Sequence, residues 1–130
     1  MSPESPRRLQ PLCDRIGRDR VEAVVARFYD RLETDPRLGR YFSAIPDLQA
    51  HRQRIADFWW IAMGGRLAAP PEVDMVGAHR PLGLSTEDFS HWLALFDETV
   101  QRSLPADLAD PWLLMAKAVA QRLIGQVVDR

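Results

Sequence analysis

Three histidines, His51, His79 and His91, are the residues of this chain with the widest chemical reach. Imidazole titrates near neutrality and is the commonest metal ligand among side chains. His51 lies on an apolar stripe, with Leu48 and Ile55 one turn either way and Phe58 and Trp59 beyond. An imidazole facing an apolar core is costly without a partner, so it is either satisfied by water or a carbonyl, or held ready for a ligand. His79 stands near the end of a short stretch just before Pro81. A histidine there suits the negative end of a helix dipole, and it equally suits a metal. His91 falls one step off the stripe Phe89, Trp92 and Phe96, which points to a surface position. Tyr29, beside Phe28, and Trp92 add a phenol and an indole N–H, each of which needs a hydrogen-bond partner when it points inward.

Other chemistries find little support. The single cysteine, Cys13, allows neither an internal disulfide nor a Cys-rich metal site, and fits a reducing compartment. Three histidines cannot close a four-ligand zinc site. The Glu-x-x-His pattern of di-iron bundles, a Gly-x-Ser-x-Gly elbow and a phosphate-binding glycine loop are all missing. With 17 basic and 18 acidic residues the net charge is −1, so no strong field draws the chain to nucleic acid or an anionic membrane. No stretch reaches the ~18 apolar residues of a membrane span, and the start of the chain lacks the apolar core of a secretory signal. A cytoplasmic protein is expected.

The elements that must position these groups read as helices. At 130 residues, 46% hydrophobic and 27% charged, the chain has the size and composition of one globular domain. The first eight residues are polar, rich in Pro and expected to fray. Leu9, Leu12 and Ile16 predict a short first helix up to Gly17. Asp19 and Glu22 give a capping-box spacing ahead of the stripe Val21, Val24, Val25, Phe28 and Leu32. Asp35-Pro36 ends that helix and offers Asp35 as a cap for a short piece running to Tyr41 and Phe42. Pro46-Asp47 opens the strongest helix, which Gly64-Gly65 ends. A loop over 66–71 leads to a short helix over 72–80, with Val73, Val76, His79 and Arg80 on one side and Gly77 weakening it by ~1 kcal/mol relative to Ala. Ser85 and Asp88 cap the next helix, and Pro105 breaks it. Pro111 is placed at the start of a final helix running to Val127. No stretch alternates with period two. The fold class is all-α, six or seven helices packed helix on helix.

An apolar pocket with a few convergent polar groups from several helices suits a buried cofactor. Haem matches best: it needs one strong axial histidine, a flat apolar slot and a few polar groups over the open iron face.

From about Val21 to Val127 the chain resembles a group III truncated haemoglobin, a shortened globin fold around a haem pocket. The resemblance rests on Phe28-Tyr29, then Asp35-Pro36-Arg37-Leu38-Gly39 and Tyr41-Phe42, on His51 with Ile55, Phe58 and Trp59, and on the string from Phe89 to Phe96. It departs in two places. Leu48 stands where the family often has Trp, and three residues separate Met75 from His79 where two are usual. The resemblance implies haem b, with His79 as the iron ligand. Tyr29, His51, Ile55, Trp59 and Trp92 would form the distal, ligand-facing side. Phe42, Phe58 and Phe96 would pack on the cofactor, and Arg54 and Arg80 would pair with its propionates. It implies dioxygen, nitric oxide or carbon monoxide as ligands and slow oxygen release. A carrier and an enzyme (a nitric oxide dioxygenase, with an unidentified reductase, or a peroxidase-like one) share these residues. The remaining alternative is a haem-free helical sensor or interaction domain with structural histidines. A monomer is the default.

Overall fold

The computed structural model describes residues 10–71 and 74–128. Six α-helices follow one another, with no strand among the described residues: α1 (Leu12–Ile16), α2 (Arg18–Thr34), α3 (Leu48–Ala62), α4 (Met75–His79), α5 (Thr86–Ser103) and α6 (Ala106–Val127). Single 3-10 turns at Gly39–Tyr41 and Arg80–Leu82 complete the order. Helix α2 packs on both α3 and α5, α5 packs on α6, and α4 leans on α6. Two helix pairs thus lie one over the other, the all-α arrangement that the hydrophobic stripes predict. The expectations for residues 1–9, and for a helix start at 72–73, fall outside the described residues.

The stripes become the core. Val21, Val24, Val25, Phe28 and Leu32 of α2 are buried, as are Ala56 and Trp59 of α3 and Phe96 and Val100 of α5. The rings of Trp92, Phe96 and Trp59 stack in sequence, with centroids 5.3 and 5.7 Å apart. Trp112 of α6 meets Phe96 edge-on at 5.6 Å. Rings this close add attraction beyond the area they bury.

Local signals fare unevenly. Ser85 and Asp88 form a reciprocal capping box at the head of α5, and the Asp47 carboxylate caps α3 by accepting from the Ala50 N–H, 3.1 Å away. The capping box expected from Asp19 and Glu22 does not form. Helix α2 starts behind Gly17, whose φ of 92° suits a residue without Cβ, and Glu22 pairs with Arg18 at 2.8 Å instead. Pro111 is not at a helix start but inside α6. A proline there leaves the Asp107 carbonyl without its i+4 donor, and the Arg15 guanidinium reaches that oxygen at 3.5 Å. Gly77 has a positive role in the chain. The Asp74 side chain caps α4 by accepting from the Gly77 N–H at 2.9 Å, and a Cβ on residue 77 would sit 2.2 Å from the Asp74 carboxylate. Ordinary helix propensity is overridden because the cap occupies the space a side chain would need.

Candidate functional site

A cavity of about 400 Å³ opens between the helix pairs, within the size range of cofactor pockets. Helix α2 contributes Phe28 and Tyr29, α3 contributes His51, Arg54, Ile55, Phe58 and Trp59, and α5 contributes Trp92 and Phe96. Phe42 comes from the corner after α2, and His79 from α4. Ten of the eleven site residues read from the sequence therefore line one cavity. The exception is Arg80. Its guanidinium turns to the Gln126 carbonyl at the end of α6, 2.9 Å away, and it does not line the cavity. The 3-10 turn that begins at Arg80 carries its side chain away from the His79 side.

The two cavity histidines have distinct partners. In His79, Nδ1 lies 2.6 Å from the Met75 carbonyl, one turn back. A carbonyl only accepts, so Nδ1 carries the hydrogen and Nε2 keeps a free lone pair. A backbone carbonyl bonded to the far ring nitrogen in this way is a common means of orienting a metal-binding imidazole. In His51, Nε2 lies 3.0 Å from the Tyr29 hydroxyl. Burial, with repulsion from Arg54 and His79 added, holds the His51 imidazole below its ordinary range, and burial pushes the Tyr29 phenol well up despite the opposing Arg52 charge. Both groups are neutral at pH 7, so they share a single hydrogen. Either the phenol donates to Nε2, or Nε2–H donates to the phenol and leaves the hydroxyl hydrogen free to turn into the cavity. The Tyr29 ring is fixed edge-on to Phe42 at 5.4 Å. Trp92 is edge-on to Phe28 at 5.2 Å, and its indole N–H has no protein acceptor among the described residues.

Two polar lining groups were not read as such from the sequence, Tyr41 and Asp88, nor were apolar ones such as Leu38, Ile45 and Met75. Asp88 accepts from Ser85 N–H at 3.0 Å, Arg37 Nε at 2.6 Å and the Tyr41 hydroxyl at 3.4 Å. Burial alone would raise its pKa, but the bonds from Ser85 and Arg37, with the Arg37 charge, outweigh it and hold the carboxyl below the usual carboxylate range. In the sequence Asp88 signals only a helix cap, and nothing local shows that the same carboxylate also closes a cavity wall. His91, which its spacing places on the surface, is half-buried instead, because it is tied: Nε2 lies 2.8 and 2.9 Å from the two carboxylate oxygens of Asp35.

Arg54 is exposed at the rim of the cavity and has no carboxylate partner among the described residues. The donor set as a whole is one imidazole with a free lone pair, an apolar aromatic slot, and the neutral hydrogen-bonding groups of Tyr29, His51 and Trp92 lining the same cavity. That set fits an iron porphyrin. Among the described residues no group of three or more His, Cys, Asp or Glu could hold a bare metal ion.

Comparison with known proteins gives the same direction. A family model described as bacterial-like globin matches residues 11–123. The 2/2 haemoglobin of Synechococcus, solved in the cyanomet state with covalently attached haem, is 26% identical, with a TM-score of 0.79 over 93% of this chain and 100% of that one. The haemoglobin of the thermophilic phototrophic bacterium Chloroflexus aurantiacus is 20% identical, with a TM-score of 0.76 over 94% of this chain and all of the other. The truncated haemoglobin of Tetrahymena pyriformis is 19% identical, with a TM-score of 0.73 over 93% and 100%. The last two speak for the fold alone. No curated protein sequence matches. No helix among the described residues is long and apolar enough to cross a membrane.

Proposed function

The chain belongs to the bacterial-like globin family, and from that premise we propose that it is a haem protein of the group III truncated kind, with His79 as its iron ligand and a small diatomic molecule as its ligand. The observation that carries this reading is the Met75–His79 contact. It leaves one imidazole nitrogen, Nε2, free on the wall of an apolar cavity. When bound, haem b would be held by His79 and would supply an iron able to take a diatomic ligand.

The chain's own groups do the rest. Phe42, Phe58 and Phe96 supply flat apolar surface on the cavity wall. Arg54, without a carboxylate of its own, is the cation for a propionate. Across the cavity, Trp92 offers an indole N–H and Tyr29 a hydroxyl to a ligand that carries partial negative charge. In a dry pocket such donors are worth more than in water. Tyr29 is conditional. It donates only when His51 supplies the hydrogen of their mutual bond, or when that bond opens. His51 thereby controls whether one donor or two face the ligand. Tight hydrogen bonding favours slow oxygen release, which suits redox chemistry better than transport.

Titration of the purified chain with haemin tests the proposal. A Soret band should grow to one haem per chain and, after dithionite and carbon monoxide, shift to a sharp carbonyl spectrum. A chain that leaves the haemin spectrum at its free-solution form is not this protein.

A further inference from the structure

Asp35 joins three parts of the cavity wall. It is the C-cap of α2, whose Tyr29 lines the cavity. Its Oδ2 accepts from the N–H groups of Arg37 and Leu38 at 3.0 and 2.9 Å, which shapes the corner bearing Leu38, Tyr41 and Phe42, all on the cavity wall. Both carboxylate oxygens face Nε2 of His91 on α5, next in sequence to Trp92. The Asp35 side chain is 9% exposed and that of His91 37%. Burial works to raise the Asp35 pKa, but the bond from His91 and those from Leu38 and Arg37 outweigh it and keep the group ionised. Neither residue lines the cavity.

We infer that Asp35 and His91 are a positioning pair, which sets the distance between the Tyr29 hydroxyl on α2 and the Trp92 indole on α5 and so tunes the field felt by a ligand between them. The inference rests on the haem reading above. Its physical basis is leverage. A hydrogen bond to a charged group is among the stronger ones, and this one spans the seam between the corner and α5 beside Trp92. The Arg37–Asp88 pair crosses the same seam at the head of α5, about one turn before Trp92. Arg37 is half exposed there, so it supports the seam without fixing the indole.

The C–O stretching band of the carbon monoxide adduct and the dioxygen dissociation rate read that field. His91→Phe removes the donor and keeps a ring. It should shift or split the band and change the dissociation rate by about threefold or more, the loss of part of one hydrogen bond. His91→Gln, whose amide nitrogen reaches the place of Nε2, should restore both. Asp35→Asn, which weakens the same bond from the other side, should move both readouts in the direction His91→Phe does. A band and rate unmoved in His91→Phe, even with a lowered melting temperature, overturn the inference. So does a His91→Gln that behaves like His91→Phe, or an Asp35→Asn that moves the readouts the other way. Absence of any carbonyl adduct in the unmodified protein would instead sink the haem reading itself.

Discussion

The two sides of the cavity are built on opposite terms. Helix α3, with His51, has fifteen residues, buries Ala56 and Trp59, and packs along α2. Helix α4, with His79, has five residues and buries none of them. It is held by the Asp74 cap, the Met75–His79 bond and a lean on α6. A helix of five residues does not persist by propensity alone. The α3 wall is therefore set by the packing of the core, while the wall with His79 rests on a few local bonds and would gain order from a cofactor held by His79. Local stability follows burial, so the molecule joins a rigid receiving wall to a soft clasp.

The sharpest way to break that contrast is at the rigid wall. Trp59 is 4% exposed and touches Phe58, Phe96 and Trp112. Trp59→Ala should cost about 3–5 kcal/mol of stability in denaturant unfolding, with or without haem. A cost that vanishes in the haem-free chain would show that the α3 wall is also cofactor-built. Next in size is the ligand side. Tyr29→Phe should speed dioxygen dissociation by about tenfold, the loss of one hydrogen bond to a partly charged ligand. Stopped-flow displacement by carbon monoxide measures it, and an unchanged rate would mean that His51 keeps the hydroxyl engaged throughout.

The soft wall is tested by Gly77→Ala. Helix propensity favours the alanine by about 1 kcal/mol, but its Cβ would displace the Asp74 carboxylate and remove a cap worth about 0.5–2 kcal/mol. The variant should be no more stable than the parent and should hold haem less tightly, read by transfer of haem to an excess of apomyoglobin. Clear stabilisation would show that Asp74 caps nothing of consequence. The smallest effect is one of pH. The His51 imidazole is held below its unfolded value by burial and by Arg54 and His79. As pH falls through about 6.5 the unfolded chain takes up a proton that the folded one declines. The haem-free chain should lose stability across that range. His51→Gln should lose less, and equal losses in the two would remove the cause named here.

Much of this was legible from spacing. The stripes of α2, α3 and α5 point one way because a period of 3.6 with large apolar residues has a single good solution, burial. The residues drawn from those stripes, Tyr29, His51, Ile55, Phe58, Trp59, Trp92 and Phe96, all meet at the cavity. What was hidden lay in contacts distant in sequence. Asp19 and Glu22 have the spacing of a cap, but Arg18 takes Glu22 and Gly17 turns the chain first. Pro111 looks like a start, yet α6 begins at Ala106 behind Pro105 and tolerates the later proline. Arg80 adjoins His79 in sequence, but a 3-10 turn sends it to Gln126. Asp88 reads as a cap, and only its meeting with Arg37 and Tyr41, some fifty residues earlier, puts it in the cavity wall.

The most direct test removes the imidazole at position 79 and gives it back in solution. His79→Gly, loaded with haem and reduced, should lose the ferrous spectrum of the parent chain and shed its haem. Free imidazole at millimolar concentration should restore both spectrum and retention. Haem that stays in place with an unaltered spectrum when residue 79 is glycine and no imidazole is added would contradict His79 as the iron ligand.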